Sequence, residues 1–419
     1  MNAYAAKKND INTPVSTIAA FIILALALRT AYALYIYFTI GVHSIDSYLD
    51  LGSGIFSRHE YSEVPGMPSL ARSPGYPIWI AFLFFIFGHH PLIVLFGNAV
   101  LSAATCWVLH RIALRLFGKQ IALLALVISA FYPFSIYYTG YAILESFAIF
   151  ISTLLLLWII RLYDSQNIKN MLFSGILSGI LGITNPTCFI FLATVPAGLL
   201  IKCDFNFKKC LRFGFIYYAI IASFCAPWMA RNYMVFGKPV LTNARAGINI
   251  YESMLISPDK MGTPDGIRIQ QTDPTFTQGH KLIAEGKPIE AYDLLMNAAK
   301  KLIHANPEGY AKLVIHRIFK FWRPIPYKRS YDIDYKKVFW ISLLSDGLII
   351  PLGLFGIFLF RKRWTEFLPL YLMLIFWPLA YYLVYAVIRY RLPVMMPVII
   401  FASAVIVRIW EKSQQHQDS

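Results

Sequence analysis

Asp46, Arg72, Glu145, Arg231, Arg389 and Arg391 are the residues of this chain whose types and placing suit chemistry. Asp46 stands in His43-Ser44-Ile45-Asp46-Ser47-Tyr48, a few residues past the first long apolar run, and so belongs at a membrane surface. A carboxylate there can take a proton from a hydroxyl as a general base. It can equally cap the helix that follows, a common task for Asp beside Ser. Arg231 follows Ala226-Pro227-Trp228-Met229-Ala230, while Arg389 and Arg391 sit in Arg389-Tyr390-Arg391-Leu392-Pro393 between two apolar runs. Guanidinium groups at the mouths of spanning helices suit a phosphate, which they grip in bidentate fashion. Arg72 lies in Ala71-Arg72-Ser73-Pro74-Gly75-Tyr76-Pro77, a stiff helix entry that presents a further cation to the same surface. Glu145 opens a span, where it is either a functional acid at bilayer depth or an interfacial Glu favoured by the helix dipole. Asn232 and Asn249, with Tyr233 and Tyr251 beside them, suit sugar hydroxyls and sugar faces, or ordinary loop turns. Together these residues point to an enzyme acting on a phosphorylated lipid at the outer face of a membrane.

The elements that hold them follow from composition. The chain of 419 residues is 58% hydrophobic and 14% charged, where a soluble protein carries about 25% charged residues. Runs of about 20 apolar residues make it a multi-pass helical membrane protein. A net charge of +16 fits anionic lipid head groups and cytoplasmic anchoring. No basic patch is interleaved with a soluble fold, so nucleic acid is not the expected partner. Spans fall near 15–40, 91–110, 119–138, 142–162, 170–184, 187–201, 211–229, 338–360, 367–387 and 392–409, about ten (10–12) in all. The first is too long for a signal peptide and reads as an uncleaved span.

Two polar loops, 41–75 and 231–337, interrupt the series. The short basic loops should be cytoplasmic: Arg111, Arg115 and Lys119; Arg161 and Lys169; Lys208, Lys209 and Arg212; Arg361, Lys362 and Arg363, with Lys7 and Lys8. Both polar loops then lie outside, and Arg231, Arg389 and Arg391 run against the positive-inside rule. The apolar stretch 76–88 is only about 13 residues, short of the roughly 20 that cross, and is expected to be interfacial or half-inserted. The pair 170–184 and 187–201 breaks at Asn185-Pro186 and reads as a hairpin of shallow helices.

In the long loop, Ile289, Tyr292, Leu295, Leu302 and Ile303 mark one helix face. A second helix, Pro307–Trp322, sets Tyr310, Leu313, Val314, Ile318 and Phe321 against Lys312, Arg317 and Lys320. Such a basic amphipathic helix lies in the membrane interface or packs in a small loop subdomain. The five cysteines avoid both polar loops and have no zinc-ligand spacing, so neither a disulfide framework nor a metal site is expected.

Taken in order, these pieces resemble the type-C glycosyltransferases, and within them the bacterial protein O-mannosyltransferase-like family that includes the lipid A aminoarabinose transferases. The markers are Asp46-Ser47-Tyr48, Arg72-Ser73-Pro74-Gly75-Tyr76-Pro77, Tyr132-Pro133, Glu145, Pro227-Trp228, Arg231-Asn232-Tyr233, Gly237, Gly247-Ile248-Asn249, Arg389-Tyr390-Arg391-Leu392-Pro393 and Pro397. The resemblance implies an all-α fold with a seven-helix module in residues 1–230, a large outer loop at 231–337 and C-terminal spans at 338–419.

It also implies transfer of a sugar from a polyprenyl-phosphate donor to a hydroxyl or phosphate of a glycolipid, glycan or protein. Asp46 would be the base of an inverting attack, and Arg72, Arg231, Arg389 and Arg391 would hold the donor phosphate. Tyr48, Glu145, Asn232, Asn249 and Tyr390 would contact sugar or acceptor. No cofactor is expected, and a lone aspartate is a poor metal site. The setting would be a bacterial inner membrane with the site facing the periplasm. Ser47 stands where protein mannosyltransferases carry a second acidic residue, and Asn185 where the shallow hairpin often carries Arg. A polysaccharide polymerase or ligase would show similar outer arginines. A lipid-phosphate flippase would instead need charges mid-span, where Arg29 is the clearest cation.

Overall fold

The computed structural model describes residues 14–417 apart from 43, 204, 258, 261–262 and 327–334. Lys7, Lys8 and His43 thus lie outside the described residues. In hydrocarbon a backbone must satisfy its hydrogen bonds within itself, and the apolar runs are accordingly helical. The chain opens with α1 (Val15–Thr39), a 3-10 turn at Ile45–Ser47, α2 (Tyr48–Arg58), a small hairpin of β1 (Ser62–Val64) and β2 (Met67–Pro68), α3 (Gly75–Phe87) and α4 (Pro91–Phe117). Then come α5 (Lys119–Ala130), α6 (Pro133–Tyr137), α7 (Glu145–Asp164), α8 (Ile168–Thr184), α9 (Phe189–Lys202) and α10 (Phe207–Phe236). The long polar loop folds into α11 (Ala246–Leu255), α12 (Pro264–Thr272), α13 (Pro274–Ala284), α14 (Pro288–Ala305) and α15 (Pro307–Trp322). The chain closes with α16 (Tyr335–Leu344), α17 (Asp346–Leu359), α18 (Leu368–Phe376), α19 (Leu379–Leu383) and α20 (Leu392–Gln417).

Among the described residues six helices are long and apolar enough to cross a membrane, seven counting α5 with α6, which meet at a 48° bend. Pro133 makes that bend by removing a backbone donor. Arg29 of α1 fills the gap it leaves: its guanidinium donates to Ser129 O at 3.0 Å and Ala130 O at 2.9 Å, and to Ser102 Oγ at 2.7 Å. The cation the sequence marks as mid-span is therefore wholly buried and spent on the end of α5. The expected spans 170–184, 187–201 and 367–387 are apolar but shorter than full membrane length. The last breaks at Trp377-Pro378, between α18 and α19, a second proline effect.

The 13-residue α3 starts against the end of α8 and leads to His89 and His90 beside α2 and α1, at 3.1 Å from Ser53 Oγ and 3.5 Å from Tyr37 Oη respectively. Gly75 packs so closely on the end of α8 that a Cβ there would meet Thr184 Oγ1 at 2.1 Å. At its other end Gly88, with φ of +91°, turns the chain into the start of α4. At the opposite end of the bundle, Arg115 and Asp164 pair at 2.6 Å, and Gln166 reaches Lys202 O at 3.1 Å, so the basic loops after α4, α7 and α9 gather together. The most enclosed spans are α7 and the last helix, each with 78% of its apolar window buried, against 17% for α1. The C-terminal helix therefore runs through the core, packed on α17, α5 and α7.

In the loop, Tyr251, Phe276, Leu295 and Ala299 form a small core of their own. Helix α15 does not divide as expected: Phe321 of the apolar set is buried and Lys312 of the basic set is exposed, but the other two cations turn inward. Arg317 and Lys320 are buried, while Ile315 and Phe319 are 54% and 72% exposed. Arg317 is consumed by Ser253 Oγ at 2.7 Å and Leu383 O at 2.7 Å, which anchor the helix to α11 and α19. Arg317 points into the protein, on the same side as the buried Phe321, because acceptors from α11 and α19 wait for it there.

Candidate active site

The 3-10 turn after α1 carries Asp46 with φ of 67° and Ser47 with φ of 60°, consecutive left-handed residues that are costly away from glycine. Asp tolerates this conformation better than most residues, and here it turns the carboxylate back over the bundle end. The capping alternative for Asp46 is not what the structure holds. The first turn of α2 is instead served by Ser44 Oγ, which accepts from Leu49 N at 3.2 Å. Both Asp46 oxygens meet guanidinium groups: Oδ1 accepts from Arg72 Nη2 at 2.7 Å and Oδ2 from Arg389 Nη2 at 2.8 Å. Arg72 also donates from Nε to the Asp46 carbonyl at 2.9 Å, which fixes backbone and side chain together. Burial alone would raise the Asp46 carboxyl, but Arg389 and then Arg72 outweigh it and hold it below the ordinary Asp range. The group is therefore a carboxylate at neutral pH.

Arg389 faces a second acid. Its Nε lies 3.3 Å from Glu145 Oε1, an ion pair without hydrogen-bond alignment, so Glu145 Oε2 and Arg389 Nε have no hydrogen-bond partner among the described residues. Beneath Arg72, the ring of Tyr48 lies 5.6 Å from the guanidinium carbon and is itself buried edge-on to Tyr76. Burial pushes the Tyr48 phenol up, so it stays neutral.

Asp46, Arg72 and Arg389 lie at one end of a cavity of about 880 Å³. Tyr390 and Asn249 line it too. One wall is aromatic and comes from the α5–α6 bend and the turn after it: Phe131, Phe134, Tyr137 and Tyr141, facing Val338 and Ile341 of α16. The polar end also holds Arg245, Glu252 and Lys320, which the sequence reading passed over or turned the other way. Asn243 Nδ2 donates to Ser73 Oγ at 2.7 Å and Ala244 N to Leu70 O at 3.3 Å, docking the loop beside Arg72 and bringing Arg245 in. The available signal was spacing: Arg245 lies one helical turn ahead of Asn249. Burial pushes the Glu252 carboxyl up against the pull of Arg245 and Lys320. The Arg245 guanidinium makes no hydrogen bond or ion pair among the described residues. No cluster of three or more His, Cys, Asp or Glu suited to a metal occurs among the described residues.

The remaining sequence candidates stand apart from the cavity. Arg231 donates to Ser69 O at 3.2 Å and Tyr61 O at 3.3 Å and stacks on Trp228 at 5.1 Å, pinning the hairpin loop to α10. Asn232 is buried and donates to Val240 O at 2.7 Å. Glu145 is within reach only through Arg389. Arg391 is fully buried against Asp346, whose other oxygen accepts from Tyr132 at 2.7 Å, and its Nη1 donates to Phe321 O and Arg323 O. Arg389 and Arg391 are thus two residues apart and differ entirely in use.

Residues 71–230 match the sequence family described as Dolichyl-phosphate-mannose-protein mannosyltransferase. The fold is shared with the oligosaccharyltransferase of Archaeoglobus fulgidus. The apo form aligns with a TM-score of 0.60 at 14% identity, over 96% of this chain and 51% of that one. The form in complex with an inhibitory peptide and a dolichol-phosphate aligns at 0.56 and 12%, over 96% and 51%. The chain thus spans about half the length of these enzymes. ArnT from Cupriavidus metallidurans bound to undecaprenyl phosphate aligns at 0.43 and 11% identity, over 93% of this chain and 78% of that one. No curated protein matches the chain. The chain thus has the multi-pass helical fold that the resemblance read from the sequence implies.

Proposed function

We propose that this chain is a membrane glycosyltransferase that passes a sugar from a polyprenyl-phosphate donor to an acceptor hydroxyl, with Asp46 as the base. The observation that carries the reading is a carboxylate pinned between Arg72 and Arg389 at the head of a cavity with an aromatic wall and an additional cationic end. An amphiphile with a phosphate head and a hydrocarbon tail fits that division of polarity.

The acceptor oxygen attacks the anomeric carbon while its proton passes to Asp46. The bond from that carbon to the phosphate oxygen breaks with its electron pair, and the lipid phosphate leaves from the opposite face, with inversion. Arg72 and Arg389 are committed to carboxylates, so the phosphate falls to Arg245, with Lys320 beside Glu252 adding positive charge. Tyr390 and Asn249 remain for the sugar. The gathering of basic loops at the far end of the bundle supports an extracytoplasmic site, in a bacterial chain the periplasmic face of the inner membrane.

The test is sugar release from polyprenyl-phosphate-linked donors by the purified protein, wild type against Asp46→Asn, with membrane glycolipids and cell-envelope extract as acceptors. A general base contributes about 10²–10⁴-fold, so turnover should fall by that factor while donor binding survives. Donor binding with equal, negligible turnover in both proteins would instead favour a lipid-phosphate carrier.

A further inference from the structure

We propose that Tyr381 is a positioning residue for Arg389, locked by a closed ring of hydrogen bonds to Asn185 and Thr187 and acting through the ring of Tyr390. The proposal rests on Asp46 and Arg389 being the reacting pair described above.

The geometry starts at the turn between α8 and α9. Asn185 Nδ2 donates to Tyr381 Oη at 2.8 Å, and Thr187 Oγ1 donates to Asn185 Oδ1 at 2.6 Å. The hydroxyls of Thr187 and Tyr381 lie 2.7 Å apart. Thr187 has one hydroxyl proton and spends it on Asn185, so Tyr381 must be the donor in that last contact. Each proton is then used once, and the three side chains close a ring. Such a cycle is stiffer than its separate bonds, because each member polarises the next. It joins residues 196 positions apart in sequence, so the ring clamps α19 to the turn that Pro186 stiffens.

Tyr381 is buried and does not line the cavity, but its ring stacks on Tyr390 at 4.7 Å and 22°, with Phe321 on a second side at 6.1 Å. Trp377 Nε1 fixes the Tyr390 carbonyl at 3.3 Å. The Tyr390 ring in turn carries the Arg389 guanidinium, 5.2 Å above it. Arg389 needs such a rest. It lies in a short 3-10 turn, and two acids compete for it: Asp46 at 2.8 Å with good alignment, Glu145 at 3.3 Å without it. A small swing of the guanidinium toward Glu145 would strip Asp46 of one of its two cations. The stack of Tyr381 on Tyr390 sets that choice.

The experiment uses the full-length protein in lipid bilayer discs with Tyr381→Phe, Thr187→Val and Thr187→Ser. Tyr381→Phe keeps the stack and removes the hydroxyl, Thr187→Val breaks the ring, and Thr187→Ser preserves it. Expected are a roughly tenfold lower kcat for the first two, an unchanged KM for a polyprenyl-phosphate mannose probe, and wild-type behaviour for Thr187→Ser. The acid limb of kcat/KM should also move to higher pH in the first two, because a less attended Asp46 protonates more readily. The Asp46 titration itself, read by carboxyl infrared difference spectra against Asp46→Asn, should move upward in the same variants. That readout needs no turnover, so a wild type that binds donor without transferring sugar would sink the transferase reading and leave this one standing on its own spectrum. An unmoved Asp46 titration in Tyr381→Phe, or a loss of kcat that Thr187→Ser shares, would overturn the proposal.

Discussion

Replacing Arg391 with Met should cost the fold about 3–5 kcal/mol, the usual penalty for leaving one charge of a buried pair alone. Both side chains are fully buried, so water cannot take up the loss. Asp346 would keep only the Tyr132 hydroxyl at 2.7 Å, and the carbonyls of Phe321 and Arg323 would lose the guanidinium that joins the end of α15 to α20. Asp346→Asn should cost less, about 1–3 kcal/mol, because Arg391 retains those carbonyls and the amide still accepts from Tyr132. The double variant Arg391→Met with Asp346→Leu should recover most of the loss, since a buried pair replaced by apolar groups is often neutral. The assay is a double-mutant cycle of Arg391→Met, Asp346→Leu and the double variant on unfolding in mixed micelles, followed by intrinsic fluorescence, with Asp346→Asn measured beside it. Single variants within about 1 kcal/mol of wild type, or losses that merely add in the double variant, would refute the view of Arg391 as a structural clasp.

Other outcomes follow from the same geometry. Arg72→Gln removes one of the cations that keep the Asp46 carboxyl low, of which Arg389 is the strongest. The base must be ionised to work, so the acid limb of the kcat/KM profile should shift to higher pH, and an unmoved limb would contradict the assignment of Asp46. Arg245→Gln should weaken donor binding about 10–100-fold, the worth of one charged hydrogen bond at about 1.5–3 kcal/mol, with little change in kcat. Equal donor affinity in wild type and variant would remove Arg245 from the phosphate. Arg231→Met should leave donor affinity within a factor of about two and loosen the 61–69 loop, seen as faster proteolysis there; a large loss of donor affinity would return Arg231 to the site.

Much of the candidate site was legible because an isolated charge at the end of an apolar run has few ordinary uses. Asp46, Arg72 and Arg389 stood out on that ground and do converge. The same ground chose Arg231 and Arg391, and there it could not discriminate. A guanidinium at a helix mouth can face a ligand or a neighbouring carbonyl, and Asp346 lies 45 residues from Arg391 with nothing local to pair them. Arg245 was passed over for the converse reason: in a polar loop, one more cation carries no signal until Asn243 and Ala244 dock it beside Arg72. On α15 the expected division holds for Phe321, which is buried, and Lys312, which is exposed, and fails for Arg317 and Lys320. Periodicity says which residues share a face, but whether a cation turns inward depends on distant acceptors such as those of α11 and α19. The places of the spans were legible from apolar runs, but their breaks were not: Pro133 bends 119–138 and Pro378 ends a helix within 367–387 that hydropathy alone would continue.

The buried hydrogen bonds of Arg29 carry a consequence for how the protein is made. Its acceptors Ser102 and Ser129 lie 73 and 100 residues further along the chain. At about 5–20 residues per second, the ribosome delivers the later one roughly 5–20 s after the first helix has emerged. An unpaired guanidinium at the centre of a lone helix costs about 2.5–3.5 kcal/mol in lipid. The first helix is therefore poorly suited to diffuse away alone. It is expected to linger beside the insertion machinery until α4 and α5 arrive, making Arg29 a timer for assembly as well as a brace for the finished cavity wall.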